Sequence, residues 1–219
     1  TLPEGWKVDT GLKKLAENSF ESRSLDELID SPFIVGNLTS YEFELFDIPH
    51  RLSMVGDLRF WDLEKKVGPD VKRLTEEIIA HWDVIPYESY VYLNIVDKGR
   101  GGLEHLDSTL MIAKPRVPRS RAAYLSWLGL VSHEFYHTWN VKRLRPKALG
   151  PFDYENENYS RSLWIAEGIT SYYDDLLLRR AGFFTDEEYL ERLSKQLAYV
   201  EKSVGSTVQS LSDSSHDAW

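Results

Sequence analysis

The chain has 219 residues, of which 42% are hydrophobic and 13% aromatic, and a formal net charge of −9. This length and composition favour one folded domain with a full hydrophobic core and argue against intrinsic disorder. The negative charge argues against binding to nucleic acid or to an anionic membrane. The absence of cysteine excludes disulfides, thiolate metal ligands and a cysteine nucleophile, so any metal must be held by His, Asp or Glu.

No stretch of the sequence has the roughly 20 consecutive apolar residues that a membrane-spanning helix needs, and no signal peptide is recognisable. We therefore predict a soluble protein of the cytoplasm or the periplasm, and the sequence leaves its oligomeric state open. Because the first residue is Thr1 rather than methionine, we also expect a processed or excised piece of a longer protein.

The first half of the chain is predicted to be rich in strands. Its elements, judged from periodicity and turn residues, are a short helical turn within 24–36, a strand pair within 41–56, a helix over 68–86 and a strand over 88–96. The turn-forming stretch "GRGG" then leads into a segment, ending near residue 113, that is predicted to be extended.

The second half is predicted to be helical. Its elements are a central helix over about 121–145, a polar loop over 150–162, a helix over 163–181 and a helix over 185–202 that begins with Thr185 and Glu188 in capping-box register. The tail 210–219 is predicted to have no clear structure. Strands followed by helices along the chain predict an α+β fold with a mixed or antiparallel sheet. Residues 1–113 form the strand-rich part and residues 114–219 the helical part.

The central helix carries the motif H-E-x-x-H in "LVSHEFYHTWN". Two histidines four residues apart, His133 and His137, lie on one face of a helix and can bind one metal ion. Glu134 is about 100° further round the helix, where its carboxylate can take a proton from water beside the metal without ligating it. The alternative interpretation is a core helix that carries two hydrogen-bonded histidines.

A catalytic zinc site of this kind needs a third protein ligand. The metzincin pattern is excluded because Asn140 and Arg143 stand where it requires glycine and histidine. Three glutamates follow, and Glu155 and Glu157 lie in a polar loop where acidic residues are usually just solvated. Glu167 lies on an apolar helical stretch, where we expect a buried carboxylate that needs a partner, so we choose it as the third ligand.

The stretch "HEFYHTWNVKRLRP", followed 26 residues after His137 by "LWIAEGITSYY", resembles the glycyl aminopeptidase family of gluzincin metallopeptidases. The resemblance implies a thermolysin-like catalytic domain, with a small mixed sheet whose edge strand lies beside the zinc-binding helix and with a helical half after it. It implies that His133, His137 and Glu167 bind one zinc ion. It also implies that Glu134 is the general base and then the proton donor.

The stretch "GGLEH" is similar to the G-x-M-E-N stretch that related aminopeptidases place on an edge strand beside the zinc. By that resemblance the backbone of Gly102 and Leu103 would pair with the substrate, and Glu104 would bind the free α-ammonium group. Leu103 replaces methionine and His105 replaces asparagine. The alternatives are an ordinary exposed carboxylate for Glu104 and a structural role for His105.

Two further features of the family are missing from the sequence. The tyrosine that stabilises the oxyanion in relatives lies in a Y-x-K-G-like stretch that is not found here, and Tyr172 and Tyr173 are interpreted as packing residues. Ser171 stands where thermolysin-like enzymes often have an Asp that orients a histidine ligand. The resemblance therefore implies a catalytic-domain fragment without the flanking β-rich N-terminal and C-terminal PDZ domains, and full activity of the fragment is not implied.

The predicted function is that of a zinc-dependent aminopeptidase that acts on peptides with a free N-terminus. A preference for small first residues such as Gly or Ala is implied by the family resemblance alone. Two alternatives stay open: a zinc endopeptidase of the same fold, and a catalytically inactive metal-binding or interaction domain.

Overall fold

The computed structural model describes residues 2–218. The strands are β1 Lys7–Thr10, β2 Lys13–Ala16, β3 Ser19–Glu21, β4 Phe33–Gly36, β5 Thr39–Leu45, β6 Ile48–Gly56, β7 Tyr90–Val96, β8 Gly101–Glu104 and β9 Ser108–Ala113. The helices are α1 Leu25–Ile29, α2 Gly68–Trp82, α3 Arg121–Tyr136, α4 Leu163–Arg180, α5 Asp186–Lys202, α6 Gly205–Val208 and α7 Leu211–His216. Strands precede most of the helices, which confirms the predicted α+β class.

Five strands form the main sheet, in the order β5-β6-β7-β9-β8. Neighbours β6–β7 and β7–β9 are parallel, whereas β5–β6 and β8–β9 are antiparallel, so the sheet is mixed as predicted. The predicted strand pair within 41–56 is the β5–β6 hairpin. Its two turn residues, Phe46 and Asp47, both have positive φ, at 53° and 62°, which suits the tight two-residue turn of a hairpin.

Each face of the sheet is covered by different elements. The larger core lies between the sheet and helices α2 and α3, and α2 contributes Val71, Leu74 and Ile78, all 0% exposed. A smaller apolar cluster on the other face joins Ile34 of β4 to Leu93 of β7. The β1–β4 ladder, within residues 7–36, is therefore packed against the sheet.

Helix α2 begins at Gly68, as the sequence predicts, directly after the π-helical turn Leu63–Val67. Glycine is needed at position 68 because a Cβ there would overlap the Tyr41 ring. It ends at Trp82, and Asp83 adopts a left-handed conformation (φ 54°) before the predicted stop at Pro86. No described helix is long and apolar enough to cross a membrane.

The central helix α3 is shorter than predicted. It was expected to reach about residue 145, but it ends at Tyr136 with His137 as its C-cap. Beyond this point helical bonds, such as Val141 N–H to the His137 carbonyl, are mixed with tighter and wider ones. Thr138 N–H donates to the Phe135 carbonyl and Leu144 N–H to the Trp139 carbonyl, so the segment forms successive turns instead of a regular helix. The prediction of a helix over 137–145 was therefore wrong, although the motif itself still spans one continuous turn.

The last third of the chain is helical. Helices α4 and α5 match their predicted ranges within one residue, and the capping box of Thr185 and Glu188 is present. The prediction that the tail lacks structure was wrong for 211–216, which form α7, because the Ser210 side chain accepts a hydrogen bond from Asp213 N–H at the start of the helix. Trp219, the last residue of the tail, lies outside the described residues.

Candidate metal centre

The end of α3 and the first turns of α4 bring His133, His137 and Glu167 together. Their ligand atoms all lie within 4.8 Å of one another, and no other group of three such residues is found within residues 2–218. His133 Nε2 is 3.2 Å from Glu167 Oε2 and 3.1 Å from His137 Nε2, while His137 Nε2 is 3.6 Å from the same Glu167 oxygen. The three predicted ligands thus converge on one point.

The tautomers of the two histidines are set by their other ring nitrogens. His133 Nδ1 lies 3.1 Å from Asp174 Oδ2, and His137 Nδ1 lies 2.6 Å from the backbone carbonyl of Asn140. Both of these oxygen atoms can only accept, so each Nδ1 carries the proton. The Nε2 lone pairs therefore face each other and the Glu167 carboxylate, an arrangement that fits a cation with nitrogen and oxygen ligands such as zinc.

The electrostatics of the three residues also favour a cation. Burial opposes the charging of His133, but hydrogen bonds with Asp174 and Glu167 raise its pKa to about 10. The pKa of His137 is raised too, since the hydrogen bond with Glu167 outweighs burial. Hydrogen bonds from both histidines hold the pKa of Glu167 well below its usual range. The three residues therefore favour a positive charge between their ligand atoms: protons on the Nε2 atoms supply it at these pKa values, and a metal ion would replace those protons.

One premise of the choice of Glu167 was wrong. The carboxylate was expected to be buried on an apolar helix, but its side chain is 53% exposed. The exposure arises because α4 packs through Ala166, Thr170 and Leu177, which are buried, whereas Trp164 and Ile169 on its other faces are exposed. Glu167 lies at the rim of the core, opposite the histidines. Glu155 and Glu157, the alternative ligands, are not part of the group.

The groups that orient the histidines were not found from the sequence. Asp174 lies seven residues after Glu167, which is two turns along the same face of α4, and Ser171 takes no part in the bond to His133. Asn140 contributes its carbonyl to His137, and its side-chain amide donates to the Ala166 carbonyl at 3.0 Å. Asn140 thus also ties the end of α3 to α4.

Glu134 lies beside the three residues without bonding to any of them. Its side chain is buried, and its Oε2 has no hydrogen-bond partner within residues 2–218. Burial raises the pKa of Glu134 to about 7, and the negative charge of Glu104 adds to this against the opposite effect of His133. A carboxyl with this pKa can both accept and release a proton near neutral pH.

Strand β8 carries the residues predicted to bind substrate. It is an edge strand that pairs, among the described residues, only with β9, with Gly102 opposite Met111 and Glu104 opposite Thr109. A Cβ on Gly102 would overlap the Glu134 carboxylate, so this strand runs directly past the proposed base. Its other edge keeps a row of backbone donors and acceptors free.

The side chains of β8 alternate between two faces. Gly102 and Glu104 therefore share the face near Glu134, whereas Leu103 lies on the other and is 54% exposed. Glu104 makes no hydrogen bond or ion pair to another side chain in the part of the chain that the structure describes. Its carboxylate is thus available two residues from the point where Gly102 meets Glu134.

The turn after Glu104 is held by charged side chains. Asp30, the C-cap of α1, accepts a hydrogen bond from Leu106 N–H at 2.6 Å and pairs with Lys142 at 2.5 Å. Arg143 donates to the Leu106 carbonyl at 2.8 Å and to Asp107 at 2.7 Å. Basic residues just beyond α3 therefore connect the turn that follows His137 to the end of the edge strand.

The whole fold is similar to that of an aminopeptidase-family structure. A crystal structure of an aminopeptidase N family protein from Idiomarina loihiensis superposes with a TM-score of 0.92 at 36% sequence identity. The match covers 98% of this chain and 38% of that one, so this chain spans well under half the length of its structural relative. No curated protein sequence matches the chain.

Two family models agree with this structural match. Residues 126–219 match the M61 glycyl aminopeptidase model, and residues 1–37 match the model of the Peptidase M61 N-terminal domain. The two ranges together cover more than half of the chain, and the first includes all three candidate ligands. The chain belongs to the M61 glycyl aminopeptidase family, which confirms the resemblance drawn from its motifs. The division into one catalytic unit over residues 1–219 stays a prediction.

Proposed function

We propose that the protein is a zinc-dependent aminopeptidase with a thermolysin-like catalytic domain. The observation that carries this proposal is the convergence of His133 Nε2, His137 Nε2 and Glu167 Oε2 on one point, with a buried, unpartnered Glu134 beside them. A structural metal site would need no such adjacent carboxylate, whereas a hydrolytic site needs a base close to the metal.

In this proposal His133, His137 and Glu167 hold one zinc ion. When bound, zinc supplies a Lewis acid that polarises the scissile carbonyl and makes water more acidic. Glu134, whose pKa is about 7, takes a proton from the attacking water and then delivers it to the leaving amine.

Strand β8 and Glu104 would orient the peptide. The free edge of β8 can pair with the substrate main chain as an added strand, and Gly102 lets that backbone approach Glu134 closely. The Glu104 carboxylate would bind the substrate ammonium, which fixes the distance from the chain end to the cleaved bond. This distance makes removal of a single N-terminal residue the expected reaction.

The metal content of the purified protein tests the proposal. Elemental analysis is expected to find about one zinc per chain, and the variant His137→Ala is expected to lose it because one of only three ligands is gone. His216→Ala is the matched control, since His216 lies on α7, is half-exposed and is not part of the site. A protein that binds no zinc, or a His137→Ala variant that retains it, would contradict the proposal.

Glu104→Gln separates an aminopeptidase from an endopeptidase. If Glu104 binds the ammonium group, the variant is expected to raise KM for aminoacyl reporter substrates by about 10-fold or more, because a charge-assisted hydrogen bond is lost. N-acetylated peptides are expected to resist both proteins. Cleavage of acetylated peptides at comparable rates by both would instead establish the endopeptidase alternative.

A further inference from the structure

A cavity of about 220 Å³ lies at the start of β8, at the opposite end of this strand from Glu104. It is bounded by the residues just before β8, by the end of β9 and by the part of α3 that precedes the H-E-x-x-H motif. Its lining is mostly apolar and includes Trp127 and Leu130 of α3 and Ile112 of β9. The chemistry proposed above makes no use of this apolar surface.

The cavity begins one helical turn from the proposed base. Leu130 and Glu134 are four residues apart on α3 and therefore share a face of the helix. Gly102, which meets Glu134, is only two residues beyond Arg100, which also lines the cavity. In the proposed reaction the cleaved bond lies near Glu134 and the substrate ammonium near Glu104. The part of the peptide beyond the cleaved bond therefore runs towards this cavity.

The charged groups of the cavity are all cations. Arg100 and Lys114 line it together with no acidic residue, although the whole chain has a net charge of −9. Neither cation forms an ion pair within residues 2–218. Arg100 donates one hydrogen bond, to Ser126 Oγ of α3 at 3.0 Å, so its guanidinium group lies on the α3 side of β8. The cleft thus has an unpaired carboxylate, Glu104, at one end and unpaired cations at the other.

The distance between these two ends limits the length of a substrate that meets both. Arg100 lies four residues before Glu104, and four residues of a strand span about 14 Å. An extended peptide of three residues spans about 10 Å and one of four residues about 14 Å, whereas a dipeptide spans only about 7 Å. A peptide of three or four residues therefore fits with its ammonium at Glu104 and its carboxylate at Arg100.

We propose that the preferred substrates are peptides of three or four residues with a free carboxylate and with an apolar residue directly after the cleaved bond. Arg100 and Lys114 bind the carboxylate, and the surface formed by Ile112, Trp127 and Leu130 takes the apolar side chain. A long chain places no carboxylate beside the two cations and gains nothing from them. This inference deepens the proposed aminopeptidase function and rests on it.

Tripeptides that differ only in their C-terminal charge test the inference. The zinc-loaded protein is expected to cleave Gly-Leu-Ala with a kcat/KM about 10-fold above that of Gly-Leu-Ala amide, because the amide forms no ion pair. The double variant Arg100→Gln, Lys114→Gln is expected to bring this ratio close to 1. The matched control is Arg179→Gln, Lys195→Gln, which removes two cations that pair with acidic residues of α5, and it keeps the full ratio.

The second residue and the peptide length are tested with the same protein. Gly-Asn-Ala, whose second side chain has nearly the size of leucine but is polar, is expected to be cleaved about 10-fold less efficiently than Gly-Leu-Ala. Equal cleavage of these two peptides would overturn the apolar subsite. In a peptide of eight residues that begins with Gly-Leu, the free acid and the amide are expected to be cleaved equally well. A preference for the acid that persists at this length would overturn the limit on length.

Failure of this inference is distinguishable from failure of the proposed function. If Gly-Leu-Ala is cleaved but the ratio of acid to amide is near 1, the inference is overturned and the aminopeptidase stands. If no peptide is cleaved, the aminopeptidase proposal falls and the inferred substrate preference falls with it. Calorimetry with Glu134→Gln, which lacks the proposed base, tests the cations alone: tighter binding of Gly-Leu-Ala than of its amide supports a carboxylate site, and equal binding overturns it.

Discussion

Asp174 is not itself a candidate ligand, yet it decides which nitrogen of His133 faces the other two candidate ligands. Its Oδ2 accepts the hydrogen bond from His133 Nδ1 at 3.1 Å, so the Nε2 lone pair is directed at Glu167 and His137. Carboxylates in this position fix the ring orientation and increase the basicity of the ligand. A side chain on α4 thus fixes the tautomer and the orientation of a candidate ligand on α3.

Asp174→Asn is expected to weaken zinc binding by about 10-fold, because the amide can donate to His133 Nδ1 and thereby favour the wrong tautomer. Zinc affinity is measured by competition with a chromophoric chelator at pH 7.5. Asp186→Asn serves as the control, since Asp186 lies on the exposed first turn of α5. If Asp174→Asn binds zinc with unchanged affinity, Asp174 does not orient His133 for metal binding.

At the scale of elements, the site depends on how closely strand β8 approaches helix α3. The β8–β9 pairing and the side chains that hold the following turn place Gly102 against Glu134. Only a residue without a Cβ allows this approach. The neighbouring Gly101 has open space where its Cβ would be, so a larger residue fits at position 101 but not at position 102.

Gly102→Ala is therefore expected to displace either the edge strand or the Glu134 carboxylate. We expect kcat/KM on aminoacyl reporters to fall by about 100-fold, while zinc content is retained because no ligand is touched. Gly101→Ala provides the matched control and is expected to change kcat/KM by less than about 2-fold. Equal losses in the two variants would show that the contact between Gly102 and Glu134 has no catalytic importance.

Local sequence patterns predicted the elements better than they predicted the site. The capping box at Thr185 and the motif around His133 depend on neighbours within one helical turn, and both have the expected geometry. The end of α3 and the exposure of Glu167 depend on packing against distant parts of the chain. Asp174 could have been found from its spacing to Glu167, because positions seven apart share a helix face.

Asp30 and Glu104 both line a cavity of about 700 Å³, and Asp30 shows why this cavity could not be predicted. It lies 74 residues before Glu104 in the sequence, within the range that matches the N-terminal domain model. Its contacts with Leu106 and Lys142 are long-range, and no periodicity in the sequence encodes them. The wall of the cavity therefore comes from a segment that the motifs did not connect with the active site.

For the molecule as a whole, His50 connects stability to pH. It is 2% exposed on β6, and its ring is held between the Ile48 carbonyl and the Tyr87 hydroxyl, each at 2.9 Å. The carbonyl can only accept, so Nδ1 carries the proton and Nε2 accepts from Tyr87. Burial lowers the pKa of His50 to about 4, against the smaller opposing effect of the Ile48 carbonyl, so the folded protein keeps this imidazole neutral.

The unfolded chain binds a proton at His50 near pH 6.5, whereas the folded protein binds it only near pH 4. The contribution of the neutral His50 to the free energy of unfolding is therefore complete above pH 6.5 and is lost as the pH falls towards 4. Between pH 7 and pH 5 this group alone is expected to lower the free energy of unfolding by about 2 kcal/mol. This change is measured by urea unfolding of the wild type and of His50→Gln at pH 7 and pH 5, with chelator present throughout. All other ionisable groups are the same in both proteins, so the wild type should lose about 2 kcal/mol more than the variant. Equal losses would mean that the folded protein accommodates a charged His50, and acid sensitivity would then have to originate elsewhere in the core.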